Sequence, residues 1–167
     1  MVDYDRTRKA LDTAMSFDMT HVMKRYAEKT GLPDEVLAEH EREIKRFLAL
    51  ASVSPGRYGM RGPLDELWHT FILFTSSYAR FCEALGGGFI HHLPETPGAG
   101  PREEKPEGSS YMTFLRDYEE LLGELAPVEL WPRPGGDVED PSCDQCGIWC
   151  AQTCAAIEVM PEPARRY

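Results

Sequence analysis

The sequence predicts an all-α protein: a compact helical bundle around a central apolar helix, with a Cys-rich C-terminal appendage. Three observations predict this class. Apolar residues recur at helical spacing in several segments. One of these segments, residues 64–85, is apolar nearly all round, as in a helix that other helices surround. Four of the five cysteines lie between positions 143 and 154, beyond the last helical pattern.

The central helix is predicted to start at Gly62-Pro63, since proline is tolerated in the first turn of a helix. From Leu64 to Leu85 neither glycine nor proline interrupts the pattern, so one continuous helix is expected. The triple glycine at 86–88 predicts its end. Charged side chains within the segment, among them Asp65, argue against a membrane span.

Three further helical patterns surround this segment. Residues 10–26 form one helix or two, and a second pattern begins near Pro33 and continues through Ala51. A third apolar stripe runs from Tyr111 through Leu125, and Pro127 is expected to end that helix. These segments supply the faces that pack on the central helix.

Composition divides the chain into a bundle, a tether and a tail. The bundle is predicted to span residues 1–126, with a linker at about 96–108 that is rich in proline, glycine and charge. A Pro- and Gly-rich tether follows at 127–142, and Trp131 is expected to attach it to the bundle. The Cys-rich tail occupies residues 143–167.

The central helix carries a candidate site. Asp65 and His69 are four residues apart, so their side chains lie on one face about one turn apart. Beyond the glycines, His91 and His92 follow Phe89-Ile90, and a chain that doubles back there would bring one imidazole to the central helix while its neighbour faces solvent. Two interpretations stay open: a shared metal ion, or a hydrogen bond that satisfies semi-buried polar groups.

Two other residues on apolar faces have structural explanations. His40 lies on the apolar side of its helix, which makes it either a core histidine or a third ligand for the central site. Cys82 points well away from His69 at about 100° per residue, so it is interpreted as a small core residue.

The segment DELWHTFILFTSSYARFCEALGGGFIHHLPE resembles the signature of the glycine-rich domain-containing protein-like family. The shared features are a D-x-x-W-H-T-x-I-L helix, a tyrosine with Phe-Cys, and a G-x-F-x-H-H-x-P turn. Plant members have a second histidine where this chain has Phe71, a departure that removes one ligand. The resemblance implies a helical domain and a metal site, and it implies no particular reaction.

The tail cysteines Cys143, Cys146, Cys150 and Cys154 follow the spacing C-x2-C-x3-C-x3-C. Four thiols within twelve residues are typical of metal, cluster or redox chemistry in a reducing compartment. The spacing differs from that of a zinc ribbon and of bacterial ferredoxins. A helical tail would place all four sulfurs on one stripe, facing either a metal ion or the bundle.

Charge limits the partners. The net charge is −10, and residues 63–167 hold 18 acidic but only 7 basic side chains. This acidic half disfavours nucleic acid and favours basic peptides, basic proteins or metal ions. The N-terminus has no apolar signal region, so a cytoplasmic location is expected. The glycines at 86–88 do not form a phosphate loop, because no strand precedes them and no lysine follows, so no nucleotide cofactor is expected.

The favoured hypothesis is a metal-binding protein, extending to a small metalloenzyme, whose ligands are Asp65, His69 and one of His91 and His92. Imidazole and carboxylate together suit iron, zinc, copper or manganese, and the pattern does not distinguish them. The alternatives are a non-catalytic interaction module with an acidic partner-binding half and a thiol-based metal carrier centred on the tail. Whether the protein is an enzyme, and on what substrate, stays open at this point.

Overall fold

The computed structural model describes residues 4–56, 58–93 and 111–133, together with the backbone of residues 156–160. The helical class predicted from the sequence is confirmed. Within these residues the chain forms six helices and two short strands. Their bounds are α1 Tyr4–Ser16, α2 Thr20–Thr30, α3 Asp34–Val53, α4 Leu64–Leu73, α5 Thr75–Leu85, β1 Phe89–Leu93, α6 Tyr111–Leu122 and β2 Ala156–Met160. The N-terminal pattern is thus two helices.

The prediction of one continuous central helix is wrong, because the chain breaks at Phe74 into α4 and α5. Phe74 has ψ +61°, outside the helical range, and its N–H donates to the carbonyl of Phe71 three residues back at 3.0 Å. This corner leaves Leu73 81% exposed, whereas a continuous helix surrounded by other helices would bury it. The central element is therefore a pair of short helices.

Tertiary contacts explain the break. The indole N–H of Trp68 donates to the hydroxyl of Tyr78 at 3.0 Å, and the rings of Phe71 and Tyr78 are 5.0 Å apart. In a straight helix, residues ten apart are separated by about 15 Å along the axis. Folding α5 back at Phe74 brings these aromatic side chains together in the core, at a site without glycine or proline.

The glycines after α5 set the path of the returning chain. Gly86 has φ +70°, the left-handed conformation that ends a helix and that a Cβ would disfavour. Gly87 lies against the C-terminal end of α3, where a Cβ would overlap the carbonyl oxygen of Ser52. Strand β1 therefore leaves the turn in close contact with the bundle.

Strand β1 was not predicted; the sequence indicated only a returning turn. It pairs with β2 in an antiparallel two-stranded sheet, in which Phe89 is opposite Met160 and Leu93 is opposite Ala156. Ile90 is fully buried, whereas Phe89 is 42% exposed. Only one of the two apolar residues expected to reattach the chain therefore enters the core, as the alternation of a strand requires.

A buried carboxylate ties the C-terminal part of the core to α3. The Glu43 side chain is fully buried, and its two oxygens accept hydrogen bonds from Arg42, Arg46, Tyr118 and Trp131 at 3.0 to 3.2 Å. Trp131 is itself fully buried and stacks on Phe47. The indole thus attaches the segment after α6 to the bundle, as its position in the sequence predicts.

The sixth helix ends earlier than predicted. It stops at Leu122, where Gly123 adopts φ +70°, and Leu125 is 73% exposed instead of extending the apolar stripe. The left-handed conformation of Gly123, four residues before Pro127, therefore ends α6.

Several sequence predictions fall on parts of the chain that the structure does not describe. The linker at 96–108, most of the tether and the four tail cysteines lie outside the described residues. The boundaries at 126 and 142 stay predictions. Among the helices that are described, none combines the length and apolarity that a membrane crossing requires.

Replacing Glu43 by glutamine should lower the free energy of unfolding by about 3 kcal/mol, because the buried amide cannot accept from all four donors that contact the carboxylate. The control is Glu39→Gln on the same helix. Glu39 faces Arg42 at 3.5 Å with 44% of its side chain exposed, so its loss should stay within about 0.5 kcal/mol. Urea denaturation followed by circular dichroism measures both. Equal losses in the two variants would contradict the structural role of Glu43.

The buried His40 predicts a pH dependence of stability. Burial lowers the pKa of His40, so the unfolded state binds its proton more readily than the folded state. Above the ordinary pKa of about 6.5 the ring is neutral in both states and folding releases no proton. As pH falls below about 6.5 the unfolded state is stabilised by protonation of His40, so the free energy of unfolding decreases. Urea denaturation between pH 7 and 5 should show a shallower decline for His40→Gln, by up to about 1.4 kcal/mol per pH unit. Parallel declines would exclude His40 as the source.

Candidate metal centre

The first two residues of the site lie on α4, close to its start. Asp65 is in the first turn and His69 follows one turn later, so both side chains emerge on one face. The Nδ1 atom of His69 lies 3.4 Å from Oδ2 of Asp65. The Asp65 side chain is only 6% exposed, so its oxygens are contacted by protein groups instead of bulk water.

The third residue comes from β1, and the alternation of the strand selects which histidine it is. Ile90 and His92 point towards the bundle, and the His92 side chain is only 6% exposed. Phe89 and His91 share the other face, where their rings lie 4.8 Å apart. The structure thus brings His92 to the helix pair and leaves His91 outside the group.

Asp65, His69 and His92 together form a compact donor set. Nε2 of His92 lies 3.1 Å from Oδ1 of Asp65, and the imidazole rings of His69 and His92 are 4.3 Å apart. One donor atom from each residue can be chosen so that all three lie within 4.8 Å of one another. The site therefore offers two imidazole nitrogens and one carboxylate to a common point.

Aromatic packing supports His92 from behind. The Trp68 ring lies edge-on to the His92 ring with centroids 4.4 Å apart. Trp68 donates to the Tyr78 hydroxyl, and Tyr78 in turn donates to the carbonyl of Ile90 at 2.6 Å. Burial raises the pKa of Tyr78, which keeps this hydroxyl protonated as a donor. Two helices and the strand thus meet directly behind the imidazole.

The site is enclosed on one side and open on the other. Asp65 and His92 are almost completely covered, whereas the His69 side chain is 43% exposed. A small ligand from solvent would therefore approach along His69. Such an arrangement can hold an ion in the bundle and still leave part of its surroundings accessible.

His40, considered above as a third ligand, has a different role. It is 5% exposed, and its Nδ1 lies 3.0 Å from the hydroxyl of Tyr26. Burial raises the pKa of Tyr26 to about 12, so this hydroxyl stays a neutral donor. His40 is not in the group formed by Asp65, His69 and His92. The structural explanation, a satisfied core histidine, fits the geometry.

Cys82 also lies in the core. It is 1% exposed, and burial raises the pKa of its thiol, so the thiolate needed for metal or redox chemistry is disfavoured. The tail cysteines Cys143, Cys146, Cys150 and Cys154 lie outside the described residues, so their role stays a prediction.

Sequence reasoning did not assign Trp68 and Tyr78 to the site. Trp68 is adjacent to His69 and was counted only as an apolar residue of a buried helix. A tryptophan and a tyrosine buried together do carry a signal, since each has one polar group that needs a partner in the core. The sequence does not show that Trp68 and Tyr78 are each other's partners, because they meet only through the break at Phe74.

Comparison with known proteins gives a family. Searches among curated proteins and among solved structures gave no match. A family profile described as UCP032817-like matches residues 7–108, which include Asp65, His69 and His92 but not the tail cysteines. Because this match covers more than half of the chain, the chain belongs to the UCP032817-like family.

Proposed function

We propose that the protein binds one transition-metal ion through Asp65, His69 and His92. The observation that carries this proposal is the convergence of two imidazoles and one carboxylate from two separate elements, α4 and β1. Asp65 could accept hydrogen bonds from both histidines, so the support for a metal ion is the approach of both imidazoles to one carboxylate and to each other. The second imidazole, 4.3 Å from the first, supports a site that needs three donors.

The donor distances fit such an ion. Metal bonds to histidine nitrogen and carboxylate oxygen are about 2.0 to 2.2 Å long, so neighbouring donors on one ion are separated by about 3 to 3.5 Å. Nε2 of His92 is 3.1 Å from Oδ1 of Asp65 and Nδ1 of His69 is 3.4 Å from Oδ2, so each imidazole lies at this distance from one of the two carboxylate oxygens. Iron, zinc, copper and manganese all accept mixed imidazole and carboxylate ligation.

The same donor set supports a catalytic extension of the proposal. Catalytic metal sites commonly have three protein ligands and keep a further position for water or substrate. An ion held here would supply Lewis acidity and a lowered pKa for a bound water molecule. The exposed edge of His69 provides access from solvent. On this basis we propose a small metalloenzyme of unassigned substrate, in which Asp65, His69 and His92 hold the ion.

Two parts of the proposal rest on sequence alone. The tail cysteines are proposed to form a second, thiolate-rich metal site, because four thiols recur at spacings of three and four residues. The likeness of the central segment to glycine-rich domain-containing proteins also stays a prediction. Phe71, which replaces a histidine of the plant members, is fully buried in this bundle.

The bundle site predicts a sharp difference between neighbouring histidines. In full-length protein with all four tail cysteines changed to serine, about one Zn²⁺ or Co²⁺ should bind per chain. His92→Ala or Asp65→Asn should weaken binding more than about 100-fold, because even residues behind metal ligands are worth 10- to 100-fold. His91→Ala is the matched control and should retain parental affinity, since His91 faces away from the donor set. Isothermal titration calorimetry measures these affinities.

Circular dichroism checks that each variant is folded before titration. Parental affinity in both His92→Ala and Asp65→Asn would remove the proposed site. The Asp-His contacts would then be hydrogen bonds that stabilise the fold of an interaction module. Salt-sensitive binding of basic peptides without added metal would support that alternative.

The tail makes a separable prediction. Protein with native cysteines, purified under reducing conditions and loaded with Zn²⁺, should carry more metal per chain than the four-serine variant. The difference should disappear after treatment with a thiol-modifying reagent, because thiolates are the ligands. Elemental analysis measures the metal content. Equal metal in the two proteins would exclude a thiolate site in the tail.

A further inference from the structure

We propose that Tyr78 is the positioning residue of the metal centre and that its hydroxyl sets the affinity of the site by fixing His92. This inference rests on the proposed function. Tyr78 acts through two other groups: it donates to the backbone of Ile90 and accepts from the indole of Trp68. Each of these groups controls a different aspect of the position of His92.

The first control acts through the backbone. Tyr78 on α5 and Ile90 on β1 are joined by a buried hydrogen bond of 2.6 Å. His92 follows Ile90 by two residues on the same strand face, which corresponds to about 6.6 Å along the strand. Strand β1 pairs with β2 along all five of its residues, so the strand moves as a unit and a displacement at Ile90 also reaches His92. The hydroxyl therefore sets the distance between His92 and Asp65.

The second control acts through the packing of Trp68 against the His92 ring. Trp68 is fully buried and lies edge-on to His92 at a ring interplanar angle of 61°. Its only polar side-chain group, the indole N–H, is directed at Tyr78 at 3.0 Å. This bond holds the indole in one orientation, and the indole in turn limits rotation of the imidazole. The same hydroxyl thus fixes both the backbone and the ring plane of one ligand.

The other two ligands do not depend on Tyr78 in this way. Asp65 and His69 are one turn apart on α4, so the helix itself sets their relative geometry. Loss of the Tyr78 hydroxyl should therefore affect the contribution of His92 specifically. This difference separates a positioning role from a general loosening of the core.

The test is a double-mutant cycle between Tyr78→Phe and His92→Ala, made in the full-length chain with serines at the four tail positions. Tyr78→Phe alone should raise the Kd for Zn²⁺ about 10-fold or more, as for residues that support metal ligands. In the His92→Ala background the same change should alter Kd less than 2-fold, because the ligand through which it acts is gone. Titration against a competing chelator measures all four values.

Tyr58→Phe is the matched control. It also removes one buried tyrosine hydroxyl, which donates to Asp117 at 2.7 Å on α6, an element that supplies none of the three ligands. Its Kd should stay within 2-fold of the parent. Trp68→Phe provides a second variant if Tyr78→Phe does not fold: it removes the indole N–H and should raise Kd several-fold, again only when His92 is present.

Four results would overturn the inference or its basis. An unchanged Kd in folded Tyr78→Phe protein excludes the positioning role. Equal losses with and without His92, or equal losses in Tyr78→Phe and Tyr58→Phe, assign the effect to general destabilisation. A parent protein that binds no Zn²⁺ refutes the proposed function itself, and this outcome is visible before any variant is compared.

Discussion

The hydrogen bond from Tyr78 to the carbonyl of Ile90 joins a short strand to a helical bundle, and the candidate site depends on that junction. Five-residue strands have little stability of their own. Strand β1 pairs with β2, and it is attached to the helices by the burial of Ile90, by this bond, and by a glycine turn that runs directly against α3. Without these contacts His92 would have no fixed place relative to α4. The aromatic and glycine residues around it are therefore as necessary as the donors.

Two buried carboxylates in the bundle have different surroundings, and the difference separates structure from chemistry. Glu43 accepts from two guanidinium groups, a hydroxyl and an indole, so both of its oxygens are occupied by hydrogen-bond donors. Asp65 is contacted by two imidazoles, whose nitrogens are common metal ligands. Glu43 thus joins elements of the fold, whereas Asp65 belongs to a set of side chains that could bind a metal ion.

The helical class could be predicted because helical periodicity and glycine stops are local signals. The starts of α3 and α6 and the end of α5 followed from such signals. The break at Phe74 could not be predicted, since no glycine or proline marks it and the reason is a contact between side chains ten residues apart. For the same reason the sequence could not choose between His91 and His92. That choice depends on β1 being a strand, and five residues with two histidines carry too weak a pattern to predict one.

The metal-bound and metal-free descriptions of the site make opposite demands on two atoms. If His69 and His92 only donate hydrogen bonds to Asp65, then Nδ1 of His69 and Nε2 of His92 must carry protons, since a carboxylate only accepts. If the three residues hold an ion, the same two nitrogens must be free of protons to act as ligands. Metal uptake would therefore require each of these nitrogens to lose its proton, which in a neutral imidazole moves to the other ring nitrogen, while the side chains stay nearly in place. The geometry that supports the hydrogen-bonded form is thus already close to the geometry that an ion requires, which is why burial, Trp68 packing and the Tyr78 junction matter for both.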